Sequence, residues 1–351
     1  MNPVRRSLLT IFILIITAFT ISWFLGACKK DQNTDGIELL QQEIPESFPQ
    51  PLYKFEDNPL SKEGFELGRK LFYDPRLSAD NLTPCSSCHQ QIAGFGTFEH
   101  DRSHGVFGSH TLRNAPVLFN LAWSPSFHWD GEFTSLQDEA VHPLTGSVEM
   151  GETFDSIIKK IEADPEYRKL FKKVFRYPFI RPEFITKALS QFTGSMISAD
   201  SKYDRYKKGT VTYTAQEENG YQLYKANCAS CHPEPMFTDY SFRNIGLPID
   251  NLLNDYGRMR ISGKSEDSLK FKVPTLRNTY ISSNYMHDGR FNTLQQCINH
   301  YRTNVQQSPT LDPLLTNGIT LTNAQASDLS VFLRTLTDSA LLRDPRFAKP
   351  N

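Results

Sequence analysis

Apolar residues recur at helical spacing through much of the chain. Ile157, Ile158 and Ile161, then Leu170, Phe171 and Val174, then Ile185, Ala188, Leu189 and Phe192 follow three- and four-residue intervals, as one buried helix face requires. The last of these stretches opens at Pro182, and proline suits a first helical turn because the N–H it lacks would find no partner there. Thr214 and Glu217 are spaced as a capping box ahead of Gly220, Tyr221 and Tyr224. Thr322 and Gln325 stand likewise ahead of Leu329, Phe332, Leu333 and Leu336. Few stretches alternate with period two, so the pattern predicts an all-α protein.

One apolar run has no such period. Leu8 to Leu25 is uncharged, follows Arg5 and Arg6, and ends in Gly26-Ala27-Cys28. A basic start, an apolar middle and small residues before a cysteine make residues 1–28 a lipoprotein signal peptide, with Cys28 as the lipid-modified new N-terminus. The run is also long enough for an uncleaved anchor helix. Either reading sets the remaining chain on the periplasmic side of the cell envelope, membrane-attached, with residues 29–58 as a tether that begins polar and flexible. The 38 Lys+Arg and 39 Asp+Glu leave a net charge of −1, which argues against a basic, nucleic-acid-binding surface.

Four of the six cysteines and two of the nine histidines fall into one repeated pattern, Cys85-Ser86-Ser87-Cys88-His89 and Cys228-Ala229-Ser230-Cys231-His232. Chance gives about 0.003 copies of C-x-x-C-H in a chain of this composition. The pattern reads as c-type haem attachment: two thiols form thioethers to the haem, and the adjacent histidine ligates the iron from below. A zinc site would more usually pair cysteines from two knuckles, and disulfides would not account for the histidines. Two covalently bound haem c groups are the expected cofactors.

Other phrases repeat in the same order. Gly68-Arg69-Lys70-Leu71-Phe72 is answered by Gly220-Tyr221-Gln222-Leu223-Tyr224, Thr111-Leu112-Arg113-Asn114 by Thr275-Leu276-Arg277-Asn278, and Trp129-Asp130-Gly131 by His287-Asp288-Gly289. The order implies two cytochrome c-like haem domains related by duplication, over 59–201 and 214–345, with 202–213 as linker. Fourteen residues after His287 lies Tyr301, and fourteen after its counterpart Trp129 lies Pro143, which has no ligating side chain. If the repeats superpose, Tyr301 caps the second iron and the first stays open beside Pro143. Met286 and His300 are competing caps for the second iron, and His104 for the first. Glu149 stands near the open position as a carboxylate able to shuttle a proton.

In these motifs, and in Arg113-Asn114-Ala115-Pro116 and Glu149-Met150-Gly151, the chain from about Pro59 to Leu336 resembles the bacterial di-haem cytochrome c peroxidase/MauG family. The resemblance implies a peroxidatic haem at His89, an electron-transfer haem at His232 and Trp129 as a relay between them. It also implies Glu149 as peroxide acid/base and a calcium ion near Asn114. Peroxidases of the family have Met where Tyr301 stands, whereas MauG-like members have Tyr. Glu139 replaces a Gln of the MauG pocket, Glu132 replaces the family's usual Arg, and the calcium carbonyls would fall near Ser282 and Asn284, where peroxidases have Pro. The function expected is reduction of hydrogen peroxide to water with electrons from a small periplasmic donor, a cytochrome c or copper protein. MauG-like, peroxide-dependent oxidation of a protein or small molecule is the alternative, and a non-enzymatic di-haem electron carrier is a third reading.

Overall fold

The computed structural model describes residues 36–98 and 100–350. The signal peptide, Cys28 and the first residues of the tether lie outside the described residues. Among the described residues no helix is long and apolar enough to cross a membrane. Residues 36–38 are the described part of a separate N-terminal unit, and Leu39–Asn351 form one compact unit.

That unit is mainly helical. Its principal helices are α1 (Lys62–Phe72), α2 (Val141–Thr145), α3 (Phe154–Glu162), α4 (Pro165–Phe175), α5 (Pro182–Thr193), α6 (Lys202–Lys207), α7 (Ala215–Asn227), α8 (Leu294–Asn299) and α9 (Asn323–Arg334). Among the described residues the sheet is a two-residue antiparallel pair, β1 (Phe242–Arg243) with β2 (Phe271–Lys272), in which Phe242 faces Lys272 and Arg243 faces Phe271. Both sequence-predicted capping boxes form: Thr214 accepts from Glu217 N at 3.2 Å while its own N–H donates to Glu217 at 2.7 Å, and Thr322 and Gln325 do the same at 3.2 and 2.8 Å.

Two helix crossings build the core, each through a glycine. A Cβ added at Gly68 of α1 would stand 2.0 Å from the Ala188 carbonyl oxygen of α5, and one added at Gly220 of α7 would stand 2.1 Å from the Asp328 carbonyl oxygen of α9. Only a residue without a side chain lets these backbones approach so closely. Around the first crossing Leu67, Leu71, Phe72, Ile157, Ile161, Phe171, Ile185 and Phe192 are buried. Around the second, Tyr203, Tyr221, Tyr224, Phe332 and Leu333 are. Residues 202–213 carry α6, whose Tyr203 enters the second cluster, and Tyr206 stacks on Tyr213 with ring centroids 3.8 Å apart. Phe347, close to the C-terminus, returns to pack against Phe65, Phe95 and Phe192 of the first cluster.

Candidate active site

Each C-x-x-C-H segment begins at the mouth of a cavity. Cys85–Cys88 form a single helical turn after Pro84, and Cys228 closes the end of α7. Cys85, Cys88 and His89 line a cavity of about 370 Å³, and Cys228, Cys231 and His232 line one of about 210 Å³. None of these four cysteines is joined in a disulfide. His89 Nδ1 lies 2.8 Å from the Phe95 carbonyl, and His232 Nδ1 lies 3.1 and 3.0 Å from the carbonyls of Phe237 and Pro274. A carbonyl only accepts, so Nδ1 carries the proton in both rings and Nε2 keeps its lone pair for a metal. Burial lowers the affinity of both imidazoles for a second proton, His89 to about 4. Paired thiols beside a neutral, oriented imidazole on an apolar wall are the donor set that covalent haem requires.

Trp129 belongs to both cavities. Its indole N–H donates to the Asn114 carbonyl at 2.8 Å, and its carbonyl accepts from Lys272 N of β2 at 2.7 Å, so its backbone and ring are both fixed. Arg113 ties the same wall together: it contacts Asp255 at 2.6 and 2.8 Å and Asp130 at 2.6 Å, with all three side chains buried or nearly so. Asn114, Ser282, Asn284 and Trp129 share a third cavity of about 190 Å³ between the other two chambers' linings.

The two main cavities differ in chemistry. The first is lined by Pro143, Glu149, Glu139, Glu132, His128 and His142. Burial raises the Glu149 carboxyl, with His142 pulling it down and Glu132 pushing it up. Burial pushes Glu139 up to about 7, with the charge of Glu149 adding to the effect and that of Lys272 opposing it. Lys272, also buried, is brought down to about 8. Burial alone would raise Glu132, but hydrogen bonds from His142 and His128 outweigh it and hold that carboxyl below the usual range. The second cavity is mostly apolar, and two of the carboxylates on its wall are held by arginines, Asp255 by Arg113 at 2.6 Å and Asp312 by Arg243 at 2.7 Å. Tyr301, Met286, Leu247, Ile245, Val273 and Leu276 line it, and burial raises the Tyr301 phenol.

Tyr301 sits in a turn of π-helix over His300–Asn304 that continues α8. His300, expected as a rival ligand, points elsewhere: its Nε2 donates to the Ile245 carbonyl at 2.9 Å, and it is absent from the cavity lining. Met286 does line the cavity, in a left-handed backbone conformation at φ 71°. His100, His104 and His110 form an exposed stack, with centroids 4.3 Å apart in each contact, while their neighbours Ser103 and Gly105 reach the first cavity. Cys297 is a buried thiol. Sequence reasoning assigned no role to His128, His142 or Lys272. Their convergence has no local signal, since Lys272 meets Glu139 across more than a hundred residues of chain.

The family model described as Di-haem cytochrome c peroxidase matches residues 62–212. The methylamine utilization protein MauG of Methylorubrum extorquens is 35% identical over 300 residues, covering 83% of this chain and 82% of that one. Cytochrome c551 peroxidase of Nitrosomonas europaea is 34% identical over 244 residues, 68% of this chain and 73% of that one. The crystal structure of a MauG-like protein associated with microbial copper homeostasis superposes with a TM-score of 0.81 at 33% identity, covering 89% of this chain and 99% of that one.

Proposed function

The chain belongs to the di-haem cytochrome c peroxidase family, and from that premise we propose that it reduces hydrogen peroxide to water with electrons from a small redox protein. It is an oxidoreductase with haem c as cofactor. The haems supply irons that exchange electrons with the donor and with peroxide, and the protein's part is to differentiate their surroundings. The observation that carries the reading is Trp129, on the wall of both cavities, with Pro143 and Glu149 on one side of it and Tyr301 on the other.

His89 and His232 would hold the irons, their rings oriented by the backbone carbonyls that keep the Nδ1 protons. Pro143 offers no ligand, so peroxide enters the first cavity. Glu149 takes a proton from the nearer peroxide oxygen and delivers it to the departing one, so that water leaves and not hydroxide. Two electrons and two protons convert each peroxide into two waters. Trp129, fixed on the wall of both cavities, would serve as the relay for electrons between the two haems. Tyr301, on the wall of the second cavity, would help hold that haem, and its hard oxygen would favour the oxidised iron. The two centres stem from one duplicated cytochrome c-like unit, a reading supported by the matched crossings at Gly68 and Gly220 and the matched Asp-Gly turns. A calcium ion among the oxygens near Asn114, Ser282 and Asn284 would brace the wall that carries Trp129. The protein acts in the periplasm, held to the membrane by lipid on Cys28.

Tyr301, and the likeness to MauG and a MauG-like structure, favour a second reading: peroxide-dependent oxidation of a protein or small-molecule substrate. Peroxide added to the haem-loaded protein, with and without reduced cytochrome c, separates the two. Rapid cytochrome oxidation supports the peroxidase. A long-lived oxidised state with slow cytochrome turnover supports the second reading, and two low-spin haems indifferent to peroxide exclude both and leave an electron carrier. Glu149→Gln should slow peroxide consumption by about 10²-fold or more with haem content unchanged; an unchanged rate removes Glu149 from the mechanism.

A further inference from the structure

Three side chains unused by this mechanism converge on the first cavity: His128, just before Trp129; Glu132, just after Gly131; and His142, in α2. Their ligand-capable atoms all lie within 4.8 Å of one another. The Glu132 carboxylate stands 3.2 Å from His128 Nδ1 and 3.1 Å from His142 Nδ1, with the two imidazole planes 85° apart. All three are partly exposed and line the cavity.

We propose that His128, Glu132 and His142 bind one divalent late-transition-metal cation, with the remaining coordination positions open to water. Two imidazole nitrogens and one carboxylate oxygen suit zinc or copper(II). Calcium and magnesium demand all-oxygen shells, and thiolate-seeking ions find no sulfur here. Metal–ligand bonds of about 2.0–2.2 Å put neighbouring ligand atoms of a tetrahedral site about 3.4 Å apart. The 3.1–3.2 Å spacings seen between the carboxylate and each Nδ1 match that figure, so small side-chain rotations suffice to admit the ion. On its far side His128 Nε2 lies 3.9 Å from Glu139, beyond hydrogen-bond distance but near enough for a small shift to bring that carboxylate onto the ring as an outer-shell partner. A pair of histidines merely solvating a carboxylate would show the same contacts without a cation, and titration distinguishes the two.

The site stands on its own residues and does not depend on the peroxide reading. The test uses haem-loaded protein carrying His104→Ala, which takes the exposed histidine loop out of the count. Zinc titrated by calorimetry is expected to bind with one equivalent. His142→Ala and Glu132→Gln in that background should each weaken it by more than about tenfold, with haem spectra unchanged. Copper(II) should show electron-spin resonance coupling to two nitrogens, and to one after His142→Ala. Absence of stoichiometric zinc binding, or an affinity unchanged in both variants, overturns the proposal.

Discussion

Glu139→Gln is the substitution whose effect the structure fixes most closely. Glu139 is only 13% exposed, and its carboxyl is raised from an ordinary 4.5 to about 7, chiefly by burial. The folded protein therefore binds this proton more tightly than the unfolded chain does. Its stability contribution is intact below about pH 4.5 and is lost as pH rises through about 7. At 1.36 kcal/mol per tenfold change in proton activity, the full loss is about 3 kcal/mol, of which about 2 kcal/mol develops between pH 5 and pH 7.5. Gln keeps the shape and cannot ionise. Urea unfolding of the haem-loaded protein should show Glu139→Gln gaining about 2 kcal/mol on the parent between those two pH values. The histidines titrate in both proteins and largely cancel in the difference, while Lys272, coupled to Glu139 and brought down to about 8, stays mostly charged up to pH 7.5. A gap that stays constant across the range would refute the reasoning, because it would mean that Glu139 is solvated or paired well enough to ionise freely.

Tyr301→Phe should change the absorption and spin-resonance spectrum of the second haem alone; a spectrum that does not move would transfer the ligand role to Met286. Gly220→Ala drives a methyl group into the Asp328 carbonyl and should lower stability by about 1–3 kcal/mol in thermal unfolding, with haem attachment intact. Asp204→Asn strands Arg277, which is fully buried and held by both Asp204 oxygens at 2.8 Å; the expected loss in urea unfolding is about 3–5 kcal/mol. Burial would raise Asp204, but Arg277 outweighs it and holds the carboxyl below the usual range. In the parent protein this contribution is therefore present above about pH 4 and fades only as pH falls further.

What was readable along the chain is what local chemistry determines. The C-x-x-C-H segments, the start of α5 at Pro182 and the capping boxes at Thr214 and Thr322 need only neighbours three or four residues away. Gly68 and Gly220 stood out as repeated letters, but the reason for glycine lies in the carbonyls of Ala188 and Asp328, each more than a hundred residues away. His300 shows the same limit from the other side. Its spacing made it a credible ligand, and only the carbonyl of Ile245 reveals that its ring is committed elsewhere. Glu139 stood out in the sequence only as replacing a Gln of the MauG pocket, and its enclosure beside Glu149 and Lys272 comes from the fold. Burial and long-range pairing are properties of the packed state, and no residue pattern states them in advance.

The unlike linings of the two cavities fit the unlike demands of proton and electron under the proposed mechanism. Reducing peroxide consumes two protons for every two electrons, so the chamber where it happens gains from groups that hold protons near neutrality. Glu139 at about 7 and the raised Glu149 are such groups, and the backbone tie between Val106 N and the Glu149 carbonyl at 2.7 Å keeps the second in place. In the proposed electron-transfer centre, charges that rearranged at each change of iron charge would slow the transfer, and the wall carboxylates Asp255 and Asp312 are pinned by Arg113 and Arg243. An apolar wall of Ile245, Leu247, Val273 and Leu276 around Tyr301 keeps that rearrangement small. Trp129 is where the two requirements meet. Its indole N–H is bound to Asn114 and its carbonyl to the Lys272 amide, so both the ring and its backbone are anchored on the wall that the two chambers share.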